Sequence, residues 1–330
     1  MRYSVSVFWI FCVALLTLGA CGTEQNNNNG DTLTEEKVLR NKFPEFNADS
    51  AYAGIEKQLS FGYRIPGTTA HKACADWLFA QLKRYCDTVY FQKGTATTYD
   101  KKQIPVYNLI GAFNPAKIQR AMLASHWDSR PWGDNDNKDR DKPILAANDG
   151  ASGVAVLLEM AKKMKTQKPV YGVDIVFFDA EDYGKSESEN SFCLGSQYWG
   201  KNPHKAAYRA QFGVLLDMVG GKNATFYREN FSTETAGWVQ NHLWKIADEM
   251  GYGNIFVDAA MGTIIDDHKY VYEATKIPMI DIIQYNLNSG FAPYWHTHAD
   301  NMESVDKKTL QAVGNTLTAF VFNPPVTINP

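Results

Sequence analysis

The chain has 330 residues, 45% hydrophobic and 21% charged, which is enough for one large or two modest domains with a sizeable core. Its formal net charge of -3 is near balance, and no basic stripe or aromatic-interleaved arginine cluster marks nucleic acid as a partner. There is no internal repeat.

The N-terminus reads as a targeting segment. Arg2 gives a short positive region, Val5 to Leu18 is apolar, and Leu18-Gly19-Ala20-Cys21 follows at once. The apolar run is short for a membrane span, which needs about 20 residues. The LGAC tetrad resembles the bacterial lipobox, which implies that Cys21 becomes the lipidated first residue of the mature protein. A simple secretory signal or short anchor is the alternative. Gly22 to Thr32, with Asn26 to Asn29 in a row, has no apolar side chain and reads as a flexible tether. The expected division is therefore a signal segment over 1–21, a tether over 22–33 and one folded domain over 34–330, with no linker inside it.

From there the periodicity gives elements in order. Cys74, Trp77, Leu78, Leu82 and Tyr85 are at helical spacing within Thr68 to Cys86, with Thr68 or Thr69 available as N-cap. Asp87 to Gln92, Tyr107 to Phe113 and Arg120 to His126 read as strands, with Asn114-Pro115 as a turn. A helix follows over Ser152 to Lys165, capped by Ser152, and then a buried strand over Val173 to Asp179 that runs into Glu181 and Asp182. Gly184 to Phe192 is a polar loop. Phe212 to Val219 is a strand interrupted by Asp217, Thr233 to Met250 a helix, Met279 to Gln284 a strand, and Val305 to Phe322 a helix stopped by Pro324-Pro325. Alternating strands and helices predict a three-layer α/β/α sandwich around a twisted, mostly parallel mixed sheet.

Export would permit disulfides, but Cys74 and Cys86 are twelve residues apart on one helix. That is about 18 Å along the axis, well beyond the roughly 7 Å that a disulfide spans. Cys193 has no identifiable partner, so all three are expected to be free.

Acids and histidines gather near element ends: His126-Trp127-Asp128, Asn148-Asp149-Gly150, Glu181-Asp182, Asp217, Asp266-Asp267-His268 and Trp295-His296-Thr297. In open α/β sheets, residues beyond the carboxyl ends of strands meet around ligands. A metal ion is the natural reason to gather these types. Carboxylates and imidazoles together suit a divalent cation such as zinc.

This series resembles the zinc-dependent aminopeptidase superfamily and, within it, the animal-type glutaminyl-peptide cyclotransferases, here in a bacterial lipoprotein form. The resemblance covers nearly all of 34–330, which it makes a single catalytic domain. It implies one zinc ion on Asp149, Asp182 and His296, with Glu181 as proton shuttle and Asp217 and Asp266 as further catalytic acids. The implied reaction converts N-terminal Gln, more slowly Glu, of peptides and proteins to pyroglutamate with loss of ammonia. Trp295, Phe291 and Phe192 would wall the substrate pocket. A dinuclear zinc aminopeptidase is the alternative, with His126 and Asp217 completing a second metal position beside Asp149. The resemblance implies Ser before Asp-His in the peptidases, whereas Asp266 stands there in this chain. Asp217 and Asp266 would then share a proton. Asp182 departs from the animal pattern, which has Glu. With the lipidated Cys21, these readings place the protein in the bacterial cell envelope, held to the membrane by lipid and facing the periplasm.

Overall fold

Residues 37–188 and 190–326 are described by a computed structural model; the expected signal segment and tether, with Cys21, lie outside the described residues. The elements run α1 (Ala48–Leu59), α2 (Thr69–Tyr85), β1 (Thr88–Thr97), β2 (Gln103–Phe113), β3 (Arg120–His126), α3 (Ala151–Thr166), β4 (Gly172–Phe178), α4 (Leu194–Lys201), β5 (Phe212–Asp217), β6 (Phe226–Arg228), α5 (Asn230–Glu249), β7 (Phe256–Ala260), α6 (Asp267–Thr275), β8 (Met279–Ile283) and α7 (Lys307–Phe322).

The main sheet has the order β1-β2-β4-β3-β5-β8. β4, β3, β5 and β8 are parallel, while β2 pairs antiparallel with both β1 and β4. Successive strand side chains point to opposite faces. Leu123, Ile175 and Val214 therefore join one core, with the buried sides of α1, α2, α3, α5 and α7. Met122, Val176 and Leu215 join another, with Trp199 of α4 and Val271 of α6. Covering helices on both faces explain why the central strands read as unbroken apolar runs. The expected three-layer sandwich is the observed architecture.

Several local expectations need correction. Thr68 does cap α2, accepting from the His71 amide at 3.2 Å, but Ser152 does not cap α3. That position belongs to Gly150 at φ +90°, and Ser152 Oγ instead donates to the Asn148 carbonyl and accepts from the Val219 amide. Helix α1 was not expected because it buries mostly small residues, Ala48 and Ala51 beside Ile55, and shows little apolar periodicity. Helices α4 and α6 and the two-stranded β6-β7 sheet are likewise additional. Helix α6 begins at Asp267, so Asp266 is a helix cap rather than a strand-end acid. Cys74, Cys86 and Cys193 are all free; the spacing argument had excluded only a bond between the first two.

Candidate metal centre and active site

Each chemical side chain sits where a chain segment turns sharply. β3 delivers His126, and two residues later Asp128 accepts from the amides of Glu181 and Asp182 at 3.0 and 3.2 Å. Those two amides follow Ala180, a non-glycine at φ +52°. The Asp300 carboxylate accepts from the amides of Asn148 and Asp149 at 2.8 and 3.0 Å and fixes the turn into α3. Gly150 completes that turn. A Cβ there would lie 2.7 Å from His126 Cε1 and 2.9 Å from the Asp128 carbonyl, so the close approach of His126 requires glycine. Asp217 closes β5 ahead of Met218 at φ +50°, and His296 itself has φ +57°.

These turns bring Asp149, Asp182 and His296 together, with ligand atoms within 4.8 Å of one another. His296 Nε2 lies 3.2 Å from Asp182 Oδ1 and 3.7 Å from Asp149 Oδ2. Asp182 Oδ2 is buried without a hydrogen-bond partner. A buried acceptor left free beside a second carboxylate and an imidazole suits a divalent cation, and the donor set suits zinc. Asp149 also belongs to a second group. His126 Nε2 is 3.0 Å from Asp149 Oδ1 and 3.1 Å from Asp217 Oδ1, the trio named above as an alternative second metal position.

Glu181, adjacent to Asp182, faces elsewhere. Its Oε1 accepts from the Cys193 thiol at 3.4 Å, and Asp266 belongs to the same buried group. The electrostatics separate the neighbours. Burial pushes the Glu181 carboxyl well above the usual range; His126 opposes this, and Asp182 and Asp266 reinforce it. Burial acts on Asp182 too, yet His296 and Arg130 hold its carboxyl down to about 2. Asp149 is raised to about 6 by burial and the Asp182 and Asp217 charges. Burial, then Asp217 and Asp267, raise Asp266 strongly. Asp217 and Asp266 thus interact through charge. Asp217 Oδ1 pairs with His126, while Asp266 Oδ1 accepts from the Asp267 amide.

Asp149, Glu181, Asp182, Asp217, Asp266 and His296 all border one cavity of about 440 Å³, within the size range of small-molecule sites. Its walls include Phe192, Phe291 and Trp295. The Trp295 ring stacks on His296 at 3.8 Å between centroids and meets Phe291 at 4.3 Å. Trp127 is in none of these walls; it is buried core, stacked on His71 at 4.5 Å and donating to the Tyr107 carbonyl. Arg130, Asp134 and Asp300 were not singled out by sequence reasoning, and Cys193 was read only as a free thiol. Each sits in polar or mixed surroundings where nothing but the fold reveals what it touches.

The model of peptidase family M28 matches residues 108–321. Among solved structures, the chain is similar to a Zn-dependent exopeptidase from Parabacteroides distasonis, with 48% identity over 86% of this chain and 100% of that one, at a TM-score of 0.84. It is also similar to a glutaminyl cyclase from Tannerella forsythia, with 48% identity over 85% and 99% of the two chains, at a TM-score of 0.83. A glutaminyl-peptide cyclotransferase from Bos taurus is 26% identical over 244 residues, covering 65% of each chain.

Proposed function

We propose, for a chain that belongs to peptidase family M28, the activity of a glutaminyl cyclase: closure of an N-terminal Gln, and more slowly Glu, of peptides and proteins into pyroglutamate. The observation that carries this reading is the pairing of two unlike sites in one cavity. A carboxylate–carboxylate–imidazole triad lies beside a separate group of buried acids, Glu181 and Asp266.

Asp149, Asp182 and His296 would hold one zinc ion per chain, which when bound supplies a Lewis acid for the γ-carbonyl of the substrate Gln. Glu181 takes a proton from the neutral α-amine as its nitrogen bonds to the γ-carbon. The same carboxyl returns that proton to the departing amide nitrogen, which leaves as ammonia. Asp217 and Asp266 orient the α-amine from the other side. Trp295, Phe291 and Phe192, which line the cavity, hold the short side chain against the ligands and exclude bulk water. No water molecule is consumed, which separates the reaction from peptide hydrolysis.

The direct test is incubation with a Gln-initiated dipeptide amide while ammonia and cyclised product are followed. Release of free glutamine would refute the assignment. A second reading, a dinuclear aminopeptidase, is favoured by the His126–Asp149–Asp217 group, which is as tightly gathered as the first. Metal analysis decides between them. One tightly held zinc per chain is expected, and two retained through dialysis against a weak chelator would favour the peptidase.

The same reading places the lipid on Cys21 and the domain in the periplasm of the bacterial cell envelope, supported by the LGAC tetrad. Cys21→Ser is expected to move the protein from the membrane to the soluble fraction. An unchanged distribution on fractionation would count against lipidation.

A further inference from the structure

The loop after β3 makes a second set of contacts with the candidate ligands, centred on a buried arginine. Arg130 is 1% exposed. Its Nη1 donates to Asp182 Oδ1 at 2.9 Å, to the Asp182 carbonyl at 3.0 Å and to the Gly184 carbonyl at 3.3 Å. Its Nε and Nη2 form a two-pronged pair with Asp134, at 2.7 Å to Oδ1 and 2.6 Å to Oδ2. Asp134 Oδ1 in turn lies 3.5 Å from His296 Nδ1. With His296 Nε2 3.2 Å from Asp182 Oδ1, these contacts close a ring: Arg130, Asp182, His296, Asp134.

The same loop grips the backbone around His296. The Asn135 amide donates to the His296 carbonyl at 3.2 Å, and Asp136 Oδ2 accepts from the His298 amide at 2.9 Å. His296 needs such support, because φ +57° is a conformation that L side chains adopt at a cost of about 1–3 kcal/mol. The Trp132 and Phe192 rings lie 5.2 and 5.6 Å from the guanidinium and help fix its plane.

We infer that Arg130 and Asp134 are positioning residues that clamp two of the three metal ligands, Asp182 directly and His296 through its second ring nitrogen. This rests on the metal-centre reading given above. The division of labour follows from the contacts. Arg130 occupies Asp182 Oδ1 and leaves Oδ2 as the free ligand atom. An acid 3.5 Å from His296 Nδ1, Asp134 favours the tautomer with Nδ1 protonated, in which Nε2 presents its lone pair to the ion. Asp134 also neutralises the guanidinium, which would otherwise repel a cation at this range. A lysine at 130 would keep the charge but not the fork that reaches both carboxylates.

Partners of this kind, one step behind the ligands, typically change metal affinity by about 10- to 100-fold. The test is cobalt binding to the purified full-length protein stripped of metal, measured by competition with a chromophoric chelator, with the visible spectrum of the cobalt-loaded protein as a second readout. Wild type, His296→Ala, Arg130→Lys and Asp134→Asn are compared after thermal melts confirm that each folds. Asp134 has a side chain that is 38% exposed, so Asp134→Asn is expected to fold and decides alone if Arg130→Lys does not. Both variants are expected to bind cobalt about 10- to 100-fold more weakly and to shift its visible bands, which a general loss of stability would not do. If His296→Ala loses the ion while both variants keep wild-type affinity and spectrum, the clamp is wrong and the metal centre stands. If His296→Ala binds cobalt as the wild type does, the centre itself is misplaced and the clamp falls with it.

Discussion

Glu181→Gln is expected to lower turnover of a Gln-initiated dipeptide amide about 1,000-fold, in the middle of the usual range for a positioned general acid–base group, and to leave bound zinc unchanged. The two halves of this expectation rest on different contacts. Turnover falls because an amide cannot receive the α-amine proton or return it to the leaving group. Metal is retained because the candidate ligand next door, Asp182, is fixed by contacts that do not involve the Glu181 side chain. Asp128 holds both backbone amides, and Arg130 and His296 hold the Asp182 carboxylate. Gln also nearly preserves volume, and its new N–H donors face a region rich in acceptors, including the unpartnered Asp266 Oδ2. Steady-state ammonia release and zinc analysis on one preparation check both halves. Full activity in the variant would mean that another group moves the proton.

The second large effect is on stability. Arg64 is fully buried, and each arm of its guanidinium serves a backbone carbonyl. Nε donates to Trp127 at 2.9 Å, Nη1 to Leu145 at 2.8 Å and Nη2 to Ala146 at 2.9 Å. Its amide donates to Ser129 Oγ at 2.9 Å. One side chain thus ties the segment leaving β3 to the loop that leads to Asp149. Arg64→Met fills much of the same space but strands three buried acceptors. At about 1–3 kcal/mol for each unsatisfied group, and with partial relaxation, the loss is on the order of 4 kcal/mol. That corresponds to roughly a 10 °C drop in Tm for a domain of this size class. A melt followed by circular dichroism tests it, and a Tm within about 2 °C of wild type would show that water or a backbone shift replaces the arginine.

Much of the architecture was legible because long buried strands and amphipathic helices leave a periodic trace. β3 coincides with the predicted Arg120 to His126, and α2 begins directly after its Thr68 cap. Elements with weak traces were missed. α4 is 8 residues long, β6 only 3, and α1 packs largely through alanines. Candidate ligands were visible because acids and histidines at element ends are unusual without a purpose. The residues behind them were not. Arg130 and Asp134 lie in a stretch, DSRPWGDNDN, that reads as an ordinary solvated loop, and Asp300 reads as an ordinary turn acid. Their burial and partners are properties of the assembled chain, so composition and spacing carry no sign of them. How Asp217 and Asp266 are oriented was hidden for a related reason: sequence shows that two acids are available but not which way they turn. Asp217 turns to His126.

The positive-φ residues Ala180, Met218 and His296, together with Gly150, mark the places where chemical side chains leave the regular sheet. They bear on how such a centre is moved between proteins. A design that copies only Asp149, Asp182, His296 and Glu181 onto another parallel sheet transplants the side chains without the bends that aim them, and ordinary strand ends would spread the ligands apart. The transferable unit is the bend together with the carboxylate that ties it down: Asp128 beneath the Glu181 and Asp182 amides, and Asp300 beneath Asn148 and Asp149. A grafted centre therefore begins with backbone, and its ligands come last.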